Sequence, residues 1–267
     1  MNGCKCIHYS QCGAAGPRDR RYRIMTQSNF ISLNATCAIS LLFGVFSSTG
    51  AVAAQTYDAA SSFEQGFTTQ QNPNGVWSYG FSSGFIAPIT LYTSTAQPGV
   101  NGPNAQYWYS PSNNIGWSPT MEYNNGPAYA DGNIDFLANE LVAVAGIGGD
   151  YSNLLFTAPA TGIYNIAASF RGAQNGIGTV VGVVVNGSTV FNSSVTALGQ
   201  AVPYSTIVPL TVGNTVIFSV GPGGGLQNTG LTATVSAVPE PETYALMLGG
   251  LAILIATFRR KSASAKC

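Results

Sequence analysis

The sequence predicts an all-β jelly-roll β-sandwich of antiparallel strands, flanked by a signal region and a short C-terminal transmembrane helix. Three observations carry this. Apolar and polar residues alternate with period two through the second half, as in Leu231-Thr232-Ala233-Thr234-Val235-Ser236. Turn residues recur between short strands, which is the pattern of sandwiches and barrels. No window longer than about ten residues outside the two apolar terminal segments shows a convincing helical apolar period.

The elements follow in chain order. Residues 37–48, CAISLLFGVFSS, form a short apolar run. Ala51-Val52-Ala53 and Val52-Ala53-Ala54 both fit a small-residue cleavage site after it. Residues 1–54 therefore read as a secretory signal region, whose apolar run is too short for a stable span. Two starts are open. Met1 brings Arg18, Arg20, Arg21 and Arg23 as the charged end, while Met25 to Thr36 holds no basic residue. Cys4, Cys6 and Cys12 with His8 lack the paired knuckles of a zinc site and fall in the part that cleavage discards.

The mature region, 55–237, opens irregularly. Short aromatic strands are expected at Val76–Phe81, Phe85–Tyr92 and Tyr107–Tyr109, separated by turn-rich stretches. The second half is more regular. One strand face is Tyr164, Ile166, Ala168 and Phe170, and another is Val216, Phe218 and Val220. Val180–Val185, Asn186-Gly187 and Ser188–Phe191 read as a hairpin, because Asn-Gly supplies the positive φ values of a type I′ turn. Gly221–Gly225 reads as a flexible turn, without the Lys of a phosphate-binding loop.

Composition prunes the chemistry. Between 55 and 237 there is no Cys, no His and no Lys, and Arg171 is the single base. The acids are Asp58, Glu64, Glu122, Asp131, Asp135, Glu140 and Asp150, so the region carries a net charge of −6. The balanced charge of the whole chain hides this, since its other bases lie in the terminal segments. A nucleic-acid partner needs a basic face and is not expected. Without His or Cys there is no Ser-His-Asp triad and no Cys-His pair, so no catalytic residue is assigned. Paired-carboxylate hydrolysis is the surviving enzymatic alternative, with Glu122 and Glu140 as its candidates.

Two binding sites are candidates. Trp117, Trp108 and Tyr109 form a candidate saccharide platform, because aromatic faces stack on sugar C–H faces. In a period-two strand Trp108 points opposite to Tyr107 and Tyr109, while Trp117 sits in a Gly-Ser-Pro loop. Trp77, in a Val-Trp-Ser-Tyr strand, is expected in the core. Asp131, Asp135 and Asp150 are candidate calcium ligands. Asp131-Gly132-Asn133-Ile134-Asp135 starts like a calcium loop but departs at Phe136 and Val142, where the turn Gly and bidentate Glu belong. The bland reading is a solvated turn.

The tail is the most specific stretch. Val238-Pro239-Glu240-Pro241-Glu242 leads into the 15-residue run Tyr244–Phe258 and then the basic stop Arg259-Arg260-Lys261. Such a run spans roughly 22 Å as a helix against a bilayer core of about 30 Å. It is a marginal transmembrane helix, 244–258, with the basic end inside. Residues 238–267, carried by Val238, Pro239, Glu240 and Pro241, resemble the PEP-CTERM sorting signal of exported bacterial proteins. The resemblance implies recognition by an exosortase, transient residence in the inner membrane, and delivery to the cell surface or extracellular matrix.

The mature region resembles the carbohydrate-binding-like jelly rolls of exported proteins. The likeness rests on Phe156-x-Ala-Pro-x-x-Gly-x-Tyr164, on Val185-Asn186-Gly187, on Leu210–Phe218 and on the Asn72–Gly80 opening. These are turn and core residues, so they speak for fold more than for ligand. The implied function is a non-catalytic envelope or matrix protein associated with exopolysaccharide. The alternatives are a glycosidase-like enzyme on the same fold and a purely structural surface protein.

Overall fold

The computed structural model describes residues 55–97, 102–111, 118–239 and 241–264. The signal region, Trp117 and Glu240 lie outside the described residues. The first half holds β1 (Thr56–Asp58), α1 (Ala59–Thr69), β2 (Trp77–Ser82), β3 (Thr90–Leu91), β4 (Ser94–Ala96), β5 (Ala105–Tyr109), β6 (Thr120–Asn124), β7 (Tyr129–Ala130) and β8 (Asp135–Phe136). The second half holds β9 (Leu141–Val144), β10 (Tyr151–Thr157), β11 (Gly162–Gly172), β12 (Thr179–Val185), β13 (Ser188–Val195), β14 (Ala201–Leu210), β15 (Thr215–Pro222) and β16 (Asn228–Val238), followed by α2 (Pro241–Ser264).

The last eight strands form the jelly roll. One sheet runs β14-β11-β16-β9 and the other β13-β12-β15-β10, all antiparallel. Successive strands switch sheets, except at the β12–β13 hairpin, in the double Greek-key order that defines this fold. The first half extends both sheets: β6-β5-β4 continue beyond β9, and β2-β3 beyond β10. Strand β1 takes the stretch of β16 near Ser236 that β9 leaves unpaired. The core between the sheets holds Trp77, Tyr79, Phe156, Tyr164, Phe170 and Phe218, all buried.

The sequence motifs have local causes. In Phe156-x-Ala-Pro-x-x-Gly-x-Tyr164 the Tyr164 hydroxyl donates to the Ala160 carbonyl at 2.8 Å, and its ring meets Phe156 edge-on. The motif thus closes the β10–β11 corner. At the β12–β13 turn Asn186 and Gly187 have φ of 49° and 77°, as a type I′ turn requires. The Asn186 side chain then accepts from Thr215 N (3.0 Å) and donates to Asn214 Oδ1 (3.1 Å), joining this turn to the β14–β15 turn.

Three expectations need correction. Helix α1 was not legible from apolar periodicity. Its buried seam is only Ala59, Phe63 and Gly66, and Asp58 caps it by accepting from Ser61 N at 2.9 Å. The Phe85–Tyr92 stretch is mostly a loop, with β3 limited to two residues. The tail helix begins at Pro241 and ends at Ser264, longer than 244–258. Yet no helix among the described residues is long and apolar enough to cross a membrane. The transmembrane reading is therefore not supported: Pro-Glu on one side and Arg-Arg-Lys on the other confine the apolar run to 15 residues. Within it Met247, Leu251, Leu254 and Phe258 are all exposed.

Candidate functional site

Alternation along β5 and β6 sorts the aromatics. Trp108 is 3% exposed and joins the core, its ring parallel to that of Tyr79 with centroids 6.5 Å apart. It cannot serve as a sugar platform, because the strand turns it inward. Tyr107 and Tyr109 fall on the opposite, outer face, with ring centroids 5.5 Å apart. Burial, then the neighbouring Tyr109 and Glu122, raise the Tyr107 pKa above that of a free tyrosine. Trp77 is 1% exposed, in the core as expected.

On that outer face Tyr107 pairs across to Glu122, and Glu122 to Val142. Two register pairs further along, on the same face, Thr120 pairs with Val144 and Val144 with Asn228. Thr120, Glu122 and Asn228 are each 3% exposed. They line a cavity of about 110 Å³ together with Val144, Gln174 and Gln227. Thr120 Oγ1 donates to Glu122 Oε1 at 3.1 Å. A buried carboxylate needs such donors to offset its desolvation. The cavity therefore presents one carboxylate, two hydroxyls and amides beside the apolar Val144, Ile147 and Leu226, a set suited to a neutral polar ligand. Gln174, Gln227 and Asn228 carried no recognisable signal in the sequence, since Gln174 follows the end of β11, Gln227 stands just before β16 and Asn228 at its start, and none belongs to a motif.

A hairpin, β7–β8, lies beside this cavity. Phe136 packs on Val142 and Ala173 in a small cluster with Ile134 and Val144. Arg171 holds the hairpin's base. Its Nε and Nη2 donate to Glu140 Oε1 and Oε2 at 2.8 and 2.7 Å, and its Nη1 to Asp135 Oδ2 at 3.2 Å. Glu140 Oε2 also accepts from Leu137 N at 2.8 Å. The Glu140 hydrogen bond leads in raising the Arg171 pKa. An added Cβ at Gly230 would run into the Glu140 carboxylate, so this position keeps glycine.

The other candidates fare as follows. Asp131 Oδ1 accepts from Asn133 N (2.8 Å) and Ile134 N (2.7 Å), closing the β7–β8 turn. Asp135 pairs with Arg171, and Asp150 lies between β9 and β10, its carbonyl accepting from Gly146 N at 2.8 Å. Among the described residues no three His, Cys or acidic side chains gather closely enough to hold a metal. The three aspartates do not form one calcium site, because turn closure and ion pairing occupy two of them. Glu122 sits on β6 and Glu140 just before the neighbouring β9, but Glu140 is engaged by Arg171 and lies outside the cavity lining. A second, more open groove of about 430 Å³ runs along α1, lined by Tyr57, Asp58, Ser61, Ser62, Gln65 and Trp77 among others.

Fold and tail together define the class: a jelly-roll domain whose last strand leads directly into a sorting tail. Residues 237–261 match the PEP-CTERM protein-sorting motif, so the chain carries that signal. No curated protein sequence matches the chain. Among solved structures it is similar to a family 35 carbohydrate binding module from Clostridium thermocellum, at 17% identity and TM-score 0.26, over 49% of this chain and 87% of that one. It is similar to a CBM4 structure at 12% identity and TM-score 0.30, over 55% and 96%. It is also similar to the Arthrobacter globiformis T6 isomalto-dextranase at 15% identity and TM-score 0.27, over 60% of this chain and only 23% of that enzyme. At these scores the likenesses add nothing to what the strand order establishes.

Proposed function

We propose that this chain is an exported, non-catalytic envelope protein, handed on by an exosortase, whose jelly roll holds exopolysaccharide at the Glu122 cavity. The sorting motif at 237–261 carries the first half of this reading. The second half is supported by the cavity's hydroxyl-matching lining and by the half-buried ring that Tyr109 offers beside it. The non-catalytic reading is supported by the commitment of Glu140 to Arg171, which leaves no second acid beside Glu122 in the lining among the described residues.

Exported protein isolated from its host tests both halves. Its intact mass should end near Pro241, and a mass reaching Cys267 overturns exosortase processing. Glu122→Gln and Tyr109→Ala should each weaken retention on the host's exopolysaccharide about tenfold, equivalent to about 1.4 kcal/mol. Unchanged retention removes the cavity as the site, and release of soluble sugar by the native protein overturns the non-catalytic reading.

A further inference from the structure

The outer face of the other sheet is not open. The segment 83–89, between β2 and β3, crosses it as a strap. An added Cβ at Gly182 would strike the Phe85 ring, one at Gly221 the Tyr151 ring, and one at Gly80 the Ile89 side chain. The Phe85 and Tyr151 rings meet edge-on with centroids 5.0 Å apart. Glycines on three different strands thus leave a trough in the sheet: the two aromatics settle over Gly182 and Gly221, and the Thr90 carbonyl and Ile89 over Gly80.

The trough has a polar floor. Gly182 pairs with Ser219, Ser219 with Asn153, and Asn153 with Gly80. Ser219 and Asn153 therefore stand side by side on this face, about 5 Å apart at Cα, with glycine on either flank. Both are 0% exposed. Asn153 Nδ2 donates to Ser82 Oγ at 2.7 Å. Its Oδ1, and the Ser219 hydroxyl, have no hydrogen-bond partner among the described residues. Buried polar atoms are almost always paired, because an unpaired one has lost its water and gained nothing in exchange. Packing of the strap accounts for the glycines, but it does not account for two adjacent unsatisfied polar groups beneath an aromatic ring.

We infer that this trough is a second binding site, for one ring of a neutral saccharide, and that Phe85 occupies it when no sugar is bound. Asn153 Oδ1 accepts one ring hydroxyl and Ser219 Oγ accepts from or donates to its neighbour. Tyr151 stacks on the sugar's C–H face in the position it now shares with Phe85. The ligand is neutral because the strap and floor contain no charged residue, and Arg171, the region's single base, is engaged on the opposite sheet. The site is independent of the Glu122 cavity.

Native-gel affinity electrophoresis of the full chain tests it, with dextran or hydroxyethylcellulose in the gel and polygalacturonate as the anionic control. Removing the plug with Phe85→Ser should strengthen retardation by a neutral polymer about tenfold, as expected when a competing closed state is removed. Adding Ser219→Ala to that variant should abolish the gain, and polygalacturonate should have no effect on any variant. Phe85→Trp keeps the plug, so its emission should shift to the red on titration with dextran as the indole is displaced. A folded Phe85→Ser protein with no gain overturns the site. So does a gain that survives Ser219→Ala, or a Phe85→Trp emission indifferent to both neutral polymers. Glu122→Gln reports separately on the first cavity, so either site can fail without the other.

Discussion

On one outer face of the sandwich a hairpin is held down by charge; on the other a strap is held down by packing. The β7–β8 hairpin is fixed by directional contacts: Arg171 reaches Glu140 and Asp135, and Asp131 closes the turn. The 83–89 strap contains no acid or base and is fixed by rings settling on glycines. The two devices do the same mechanical task but answer to different variables. A charge-held segment responds to pH and to loss of one partner. A packing-held segment responds to volume. The hairpin lies beside the cavity of the proposed polysaccharide site, so rigidity there favours a preformed pocket. The strap depends on no single strong contact, which suits a segment that moves aside.

The largest effect expected is at the charge-held face. Arg171→Ala removes the cation from Glu140, whose side chain is 5% exposed. Stranding a buried partner in this way costs about 3–5 kcal/mol. The Asp135 side chain is 38% exposed and adds at most about 1 kcal/mol. Urea denaturation should show this loss, and most of it should return in Arg171→Met with Glu140→Leu, which removes both charges. A loss under about 1 kcal/mol for Arg171→Ala, the worth of an exposed pair, would erase the contrast between the faces.

The packing-held face should be damaged by volume. Gly182→Ala places a methyl against the Phe85 ring, and overpacking of this kind costs about 1–3 kcal/mol. The same denaturation experiment should give a loss that does not change with salt, since no ion pair is involved. A salt-dependent loss would show that charge acts on this face too.

These contacts explain what could be read in advance. The second half was legible because each strand has one face in the core, so period two survives: Leu231, Ala233 and Val235 are all buried inward. The turns were legible where a positive φ demands glycine, as at Gly187 and Gly213. The first half was harder because both faces of β2, β5 and β6 are covered. In β6 all five residues are buried, so alternation disappears. Helix α1 hides behind small residues and one Asp cap. Of the site, Tyr109 was anticipated as part of an aromatic platform, and the opposed direction of Trp108 followed from its flanking tyrosines. Glu122 was visible only as one half of a candidate acid pair with Glu140, and not as the wall of a cavity. Its cavity is assembled from β6, β9, the residues after β11 and those around the start of β16, distant in sequence, and nothing local marks Asn228 or Gln174 as its neighbours.

The smallest effect expected sharpens the comparison through pH. Hydrogen bonds from Ile134 N, then Asn133 N, hold the Asp131 carboxyl below its ordinary pKa, with Tyr129 adding to them. A carboxylate whose folded pKa is depressed lends stability that is fully present above the unfolded pKa and is lost as pH falls through the folded value. The difference in melting temperature between the native chain and Asp131→Ala should therefore stay constant from about pH 7 to about pH 5, and narrow from about pH 4 downward. Asp131 is exposed, so solvent screens it and the difference is small at any pH. The Gly182→Ala difference, measured across the same series, should not narrow with it, because no titrating group lies in the strap. Parallel narrowing of both would mean that acid loosens the sandwich as a whole, and the two faces would no longer be separable by charge.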